Sequence, residues 1–158
     1  LLAGKVEDML NTVVRQIAFH NFETAFHDAR KSGEVSAEAL SDLWMQTQTQ
    51  ALGPAVRLDD SYRPIWAYIP HFVHTPFYVY AYAFGDCLVN ALWQNYQVKS
   101  AADKLVFSEK YIQLLKAGGT KRYNEALAPF DLNPADASFW NMGLDMIAGM
   151  IDELESLS

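Results

Sequence analysis

The sequence predicts an all-α fold, on three observations. Apolar residues recur at helical spacing in every long segment. Those segments end at residues that cap or stop helices, among them Ser36, Gly53-Pro54, Ser100 and Gly118-Gly119. Strand-type alternation is confined to one short run, Tyr78-Val79-Tyr80-Ala81-Tyr82.

The first helix is expected over residues 5–31. Val6, Met9, Leu10, Val13, Val14, Ile17, Phe22 and Phe26 lie at helical spacing, with Glu7, Asn11, Arg15 and Asp28 between them, and Gly33 stops it. A second helix follows Ser36 as N-cap, carries Leu40, Leu43, Trp44 and Thr47 along one face, and ends near Gly53-Pro54. Prolines at 54, 64, 70 and 76 then punctuate the chain, so residues 53–75 read as an ordered, aromatic-rich loop holding Tyr62, Trp66, Tyr68, His71 and Phe72.

Pro76 suits the first turn of a third helix, expected over residues 76–96. The run at 78–82 alternates, but apolar character continues to Leu92 with only Gly85 to interrupt it, and that length favours a helix. Being apolar nearly all round, this helix is expected to be central and buried. On it Tyr78 and Tyr82, four apart, share a face, while Tyr80 points elsewhere. A fourth helix starts after Ser100 and ends at Gly118-Gly119, and a short fifth covers residues 121–128. Asn133-Pro134, read as a cap with proline at the first helical position, opens the last helix, which carries Phe139, Trp140, Leu144, Ile147, Met150, Ile151 and Leu154.

Length and composition fit one globular domain covering residues 1–158: the chain is 51% hydrophobic and 20% charged. Aromatic residues make up 13%, which calls for large packing surfaces and suggests a piece of a bigger core. The net charge of −7, with no basic stripe, argues against nucleic acid and anionic membranes as partners. The lone cysteine, Cys87, excludes an internal disulfide, is compatible with a reducing cytoplasm, and reads as a small buried side chain. No apolar stretch is long enough to span a membrane. The start, Leu1-Leu2-Ala3-Gly4-Lys5, carries no signal-peptide pattern and reads like a helix already under way.

Few residues offer chemistry by themselves. His20, Glu23 and His27 fall on one helix face, but without a His-Glu-x-x-His motif they read as a solvated or hydrogen-bonded face rather than a metal site. His71 and His74 enter the segment bearing Tyr78, Tyr80 and Tyr82. Together they gather neutral hydrogen-bond donors that could stabilise an oxyanion or grip a peptide, although tyrosines packed in a core with satisfied hydroxyls are the commoner case. Phosphate-binding glycine loops, a Gly-x-Ser-x-Gly elbow and Cys-x-x-Cys are all missing.

The segment Tyr68-Ile69-Pro70-His71-Phe72-Val73-His74-Thr75-Pro76-Phe77-Tyr78-Val79-Tyr80-Ala81-Tyr82-Ala83-Phe84-Gly85 closely resembles a signature of the oligoendopeptidase F group within the thimet oligopeptidase-like metallopeptidases. Arg15-Gln16-Ile17-Ala18, Phe22-Glu23, Tyr62-Arg63-Pro64-Ile65-Trp66, Leu115-Lys116-Ala117-Gly118-Gly119 and the closing Phe139-Trp140 to Met150-Ile151-Asp152 resemble that group in the same order. The resemblance implies a nearly all-helical, zincin-type oligopeptidase whose zinc is held by a His-Glu-x-x-His helix and a downstream glutamate. That motif is absent here, so the resemblance implies a C-terminal portion that follows the metal-binding helices and is inactive alone.

The resemblance further implies that His71 with Tyr78 and Tyr82 binds substrate and stabilises the tetrahedral intermediate, with His74 and Tyr80 as further substrate contacts. Zinc is expected in the intact enzyme, with no zinc ligand in this portion. Short peptides and the preceding part of the same chain are the expected partners, the cytoplasm the expected compartment, and self-association of the isolated portion is expected from uncovered aromatic surface. Two rival readings stand beside it: a non-catalytic helical module for peptide binding or regulation, and a metal-binding protein using His20, Glu23 and His27, with His71 or His74 as a further ligand.

Overall fold

A computed structural model describes residues 1–157. The described residues are mostly helical, and no strand occurs among them. It divides into two compact units, residues 1–86 and the residues from Cys87 on. No helix among the described residues is long and apolar enough to cross a membrane.

The first unit opens with α1 (Leu2–Thr12) and α2 (Val14–Arg30). The single helix expected over residues 5–31 is therefore interrupted. At Val13 the backbone turns to φ −99°, ψ −67°, off the helical optimum. Hydrogen bonds still pass through the break, from Val13 N–H to Met9 O and from Ile17 N–H to Val13 O. With no glycine or proline at the break, the sequence carries no local signal for it. Helix α3 (Ala37–Leu52) matches its expectation: the Ser36 hydroxyl accepts from Ala39 N–H, and Gly53 ends the helix at φ 66°.

The core of this unit is a nest of rings. Trp44 of α3, fully buried, meets Phe19 and Phe22 of α2 at centroid distances of 5.3 Å each. The loop expected at 53–75 is more regular than its prolines indicate. It holds a 3-10 helix at Asp60–Tyr68 and the one-turn helix α4 (His71–His74). Proline is tolerated there because a 3-10 turn and a first helical turn leave amides free of intrahelical bonds. Trp44 Nε1 donates to Tyr62 O and Trp66 Nε1 to Ser41 Oγ, both at 3.1 Å, so the segment is tied to α3. Arg63 adds an ion pair to Asp42 at 2.5 Å.

Helix α5 (Tyr80–Gln97) starts later than the expected position 76. Phe77 adopts φ 60°, in the left-handed region, and a right-handed helix cannot run through it. Tyr78 therefore precedes the helix and does not share a helix face with Tyr82. The apolar pattern of α5 also does not translate into burial all round: Ala83, Cys87, Ala91 and Leu92 are buried, while Val89 and Trp93 are half exposed.

In the second unit, α6 (Ala101–Ala117) is capped by Ser100, whose hydroxyl accepts from Asp103 N–H, and ends at Gly118. Helix α7 (Tyr123–Leu127) is followed by a 3-10 turn at Ala128–Phe130 and by α8 (Ala137–Ser156). Asn133 is not the cap of α8. Its side chain accepts from Ala135 N–H and donates to Asp136 Oδ2, making a turn that delays the helix by three residues. Leu92, Phe107, Leu127, Phe130, Leu132 and Phe139 form the core here.

Candidate functional site

Three apolar anchors shape the signature segment. Ile69, Phe72 and Val79 are part of the ring core of the first unit. Phe72 lies 5.1 Å from Phe22 and 5.7 Å from Phe19. With the anchors turned inward, the polar residues between them are left facing out. After α4 the backbone leaves the helical region at Thr75 (φ −143°, ψ 65°) and turns through Phe77 before α5 begins. Tyr78 N–H donates to Thr75 O, and Ala81 N–H donates to Tyr78 O, so the turn and the helix start are bonded together.

That turn returns α5 to α4. His71 Nε2 and the Tyr82 hydroxyl lie 3.1 Å apart. The His71 ring is parallel to Tyr78, with centroids 6.2 Å apart and planes 6° from each other. Tyr82 stands perpendicular to both, 5.8 Å from His71 and 5.6 Å from Tyr78. The structure thus brings His71, Tyr78 and Tyr82 together, although Tyr78 arrives through the turn rather than through a helix face. Tyr78 and Tyr82 are 51% and 41% exposed, so both side chains reach the surface. Two phenols and an imidazole gathered in this way can present several hydrogen bonds to one developing negative charge.

His74 and Tyr80 lie outside this cluster. His74 is exposed at the last residue of α4. Tyr80 sits edge-on to His20 of α2, 5.8 Å between centroids.

Across α2, His20, Glu23 and His27 all face the same segment, and of the solvated or hydrogen-bonded face expected there, Glu23 takes the hydrogen-bonded, buried form. Glu23 is 1% exposed, and its Oε1 accepts from Phe77 N–H at 2.6 Å. The His27 ring lies 4.7 Å from the Phe77 ring. Among the described residues no group of three His, Cys, Asp or Glu side chains could hold a metal ion. Sequence reasoning missed Glu23 as part of the site's support. One signal was available: an acid set within the apolar stripe Phe19, Phe22 and Phe26 must find a partner if that stripe is buried.

Comparison with known proteins gives a consistent result. The sequence model of peptidase family M3 matches residues 1–146. The plasmid oligoendopeptidase F of Lactococcus lactis subsp. cremoris is 29% identical over 158 residues, which is 99% of this chain and 26% of that protein. An oligoendopeptidase F homolog of Borreliella burgdorferi is 33% identical over 118 residues, 74% of this chain and 19% of its own length. The group B oligopeptidase PepB of Streptococcus agalactiae is 29% identical across 99% of this chain and 26% of its own length. The chain thus spans about a quarter, or less, of the curated relatives it matches. No solved structure matches.

Proposed function

The chain belongs to peptidase family M3, and from that premise we propose that it forms the C-terminal part of a zinc-dependent metalloendopeptidase that cuts short oligopeptides. The observation that carries the reading is the cluster of His71, Tyr78 and Tyr82 inside the segment that resembles oligoendopeptidase F. The described residues do not fit a zinc site, so the reading assigns the metal to residues outside this chain. Its partners are then short peptides and the remainder of the same polypeptide. Its compartment is the cytoplasm, where a lone free thiol such as the buried Cys87 persists.

In this reading the cluster stabilises the tetrahedral intermediate. When water adds to a peptide carbonyl, the oxygen gains negative charge, and donors aimed at it lower the barrier. His71 Nε2 and the Tyr82 hydroxyl are within hydrogen-bond distance at 3.1 Å. If His71 donates from Nε2 to the Tyr82 oxygen, the phenol keeps its own proton for the substrate and is polarised by the bond it accepts. Tyr78, parallel to His71 and half exposed, supplies a second donor beside Tyr82. His74 and Tyr80, outside the cluster, contact the peptide away from the reacting bond.

The test is Tyr82→Phe in the complete enzyme. Loss of one such donor is expected to lower turnover by about 10²-fold, with a smaller effect on KM. Wild-type turnover in that variant removes the assigned role. A complete natural polypeptide of only this length would remove the catalytic centre and leave a peptide-binding module.

A further inference from the structure

We propose that Glu23 is a positioning residue of this site: its buried carboxylate holds the Phe77 amide in a left-handed conformation and so sets where Tyr78 meets His71 and Tyr82. The proposal rests on the peptidase reading for what the cluster does, and on the structure for how the cluster is held.

Phe77 sits at φ 60°, a conformation that a bulky L-residue adopts only when its surroundings hold it there. Its side chain is not what holds it, being 42% exposed with one face on the His27 ring. The buried restraint is on the backbone, where Phe77 N–H donates to Glu23 Oε1 at 2.6 Å. The contact is short, and burial shields it from competing water. Glu23 itself follows Phe22 of the ring core and is 1% exposed.

Geometry then passes along the chain. The left-handed turn at Phe77 directs the next residue, Tyr78, whose ring lies parallel to His71 and at right angles to Tyr82. If Phe77 relaxed to a negative φ, Tyr78 would leave that arrangement. A carboxyl in an aromatic stripe is costly to the fold, and here only Oε1 is paired, to Phe77 N–H, while Oε2 is buried without a hydrogen-bond partner. A site that needs a strained turn gives a physical reason for placing it there. The polar face of α2 is thus a clamp on the signature segment rather than a metal site.

The test uses two readouts. In the chain, exchange of the Phe77 amide is followed in wild type, in Glu23→Met, which fills the space but offers only a weakly accepting thioether, and in Glu23→Gln, which still accepts through its amide oxygen. In the complete enzyme, kcat and KM are measured for the same variants and for each combined with Phe77→Gly. Glycine takes a positive φ without strain. We expect Glu23→Met to accelerate exchange at Phe77 and to lower kcat by about 10²-fold, the scale of a misplacement of about 1 Å at a reacting site, with KM changed less. Glu23→Gln should stay near wild type. Phe77→Gly should restore most of kcat to Glu23→Met, a rescue that a general structural role does not allow.

Unchanged Phe77 exchange in Glu23→Met overturns the clamp. A double variant as slow as Glu23→Met overturns the link from the turn to the cluster. Glu23→Ala replaces the methionine variant if that does not fold. The peptidase reading fails separately: if Tyr82→Phe leaves turnover intact, the cluster is not catalytic, while amide exchange still decides whether Glu23 holds Phe77.

Discussion

The two units of the chain solve the same packing problem in different ways. The first, residues 1–86, is built on rings in defined orientations, and it buries polar groups among them: Glu23, Gln48 and the indole nitrogen of Trp44. The second, from Cys87 on, mixes leucines with its rings, buries Asn90 alone among its described polar side chains, and brings Gly143 close against the Cys87 backbone. Directional contacts fix where a segment lies. Close packing mainly fixes how near two elements come. Every candidate site residue, His71, His74, Tyr78, Tyr80 and Tyr82, belongs to the first unit, whose polar contacts reach out from the core to the signature segment.

The largest expected effect separates the two cores. Trp44→Ala should destabilise the chain by about 3–5 kcal/mol, read as a lower urea midpoint. It should also loosen the site, because the indole touches Phe72 and Tyr62 and donates to Tyr62 O. Phe139→Ala, an equally buried ring in the second unit, should cost a similar amount of stability but leave the turnover of the folded enzyme unchanged. Equal losses of turnover in the two variants would break the comparison.

A smaller effect sharpens the contrast within α8. A Cβ at Gly143 would lie 2.7 Å from the Cys87 carbonyl oxygen and 3.1 Å from its Cα, both backbone atoms with little freedom to move. Gly143→Ala should therefore cost about 1–3 kcal/mol, as overpacking does. Gly149, on the same helix, has nothing within 4 Å of its would-be Cβ. Gly149→Ala should instead stabilise the chain by about 0.8–1 kcal/mol, the difference in helix propensity. Thermal unfolding of the two variants checks both signs at once.

Much of this architecture was legible in the sequence, and the gaps have physical causes. Caps and stops placed α3 and α6 to within a residue, because Ser36, Gly53, Ser100 and Gly118 act locally. Val13 gave no warning of the break in the first helix, since hydrogen bonding continues through it. Pro76 pointed to a helix start that Phe77 postpones. The grouping of His71, Tyr78 and Tyr82 came from resemblance, and the helix-face argument for it was not the reason the structure gives. Glu23 escaped because its partner lies 54 residues away, and no periodicity reports a contact of that range.

The smallest effect concerns pH and the ring core. Tyr62 stacks on Trp44, and burial pushes its phenol above the ordinary value of about 10, with the charge of Arg15 working weakly the other way. The folded state thus holds the phenol proton more tightly than the unfolded chain does. Between the unfolded and folded values the native state binds more protons, so its stability falls as pH rises. The contribution is fully present below about pH 10, where both states are protonated, and is lost as pH climbs through the higher folded value. Lysines and the other tyrosines titrate in the same range, so the informative quantity is a difference. Tyr62→Phe keeps the stacked ring and removes the proton. Urea midpoints of wild type and Tyr62→Phe, compared on either side of pH 10, should show wild type losing more stability on the alkaline side. Parallel curves would mean that solvent reaches this phenol freely, and that the wall of rings supporting the signature segment is looser at its edge than at Trp44.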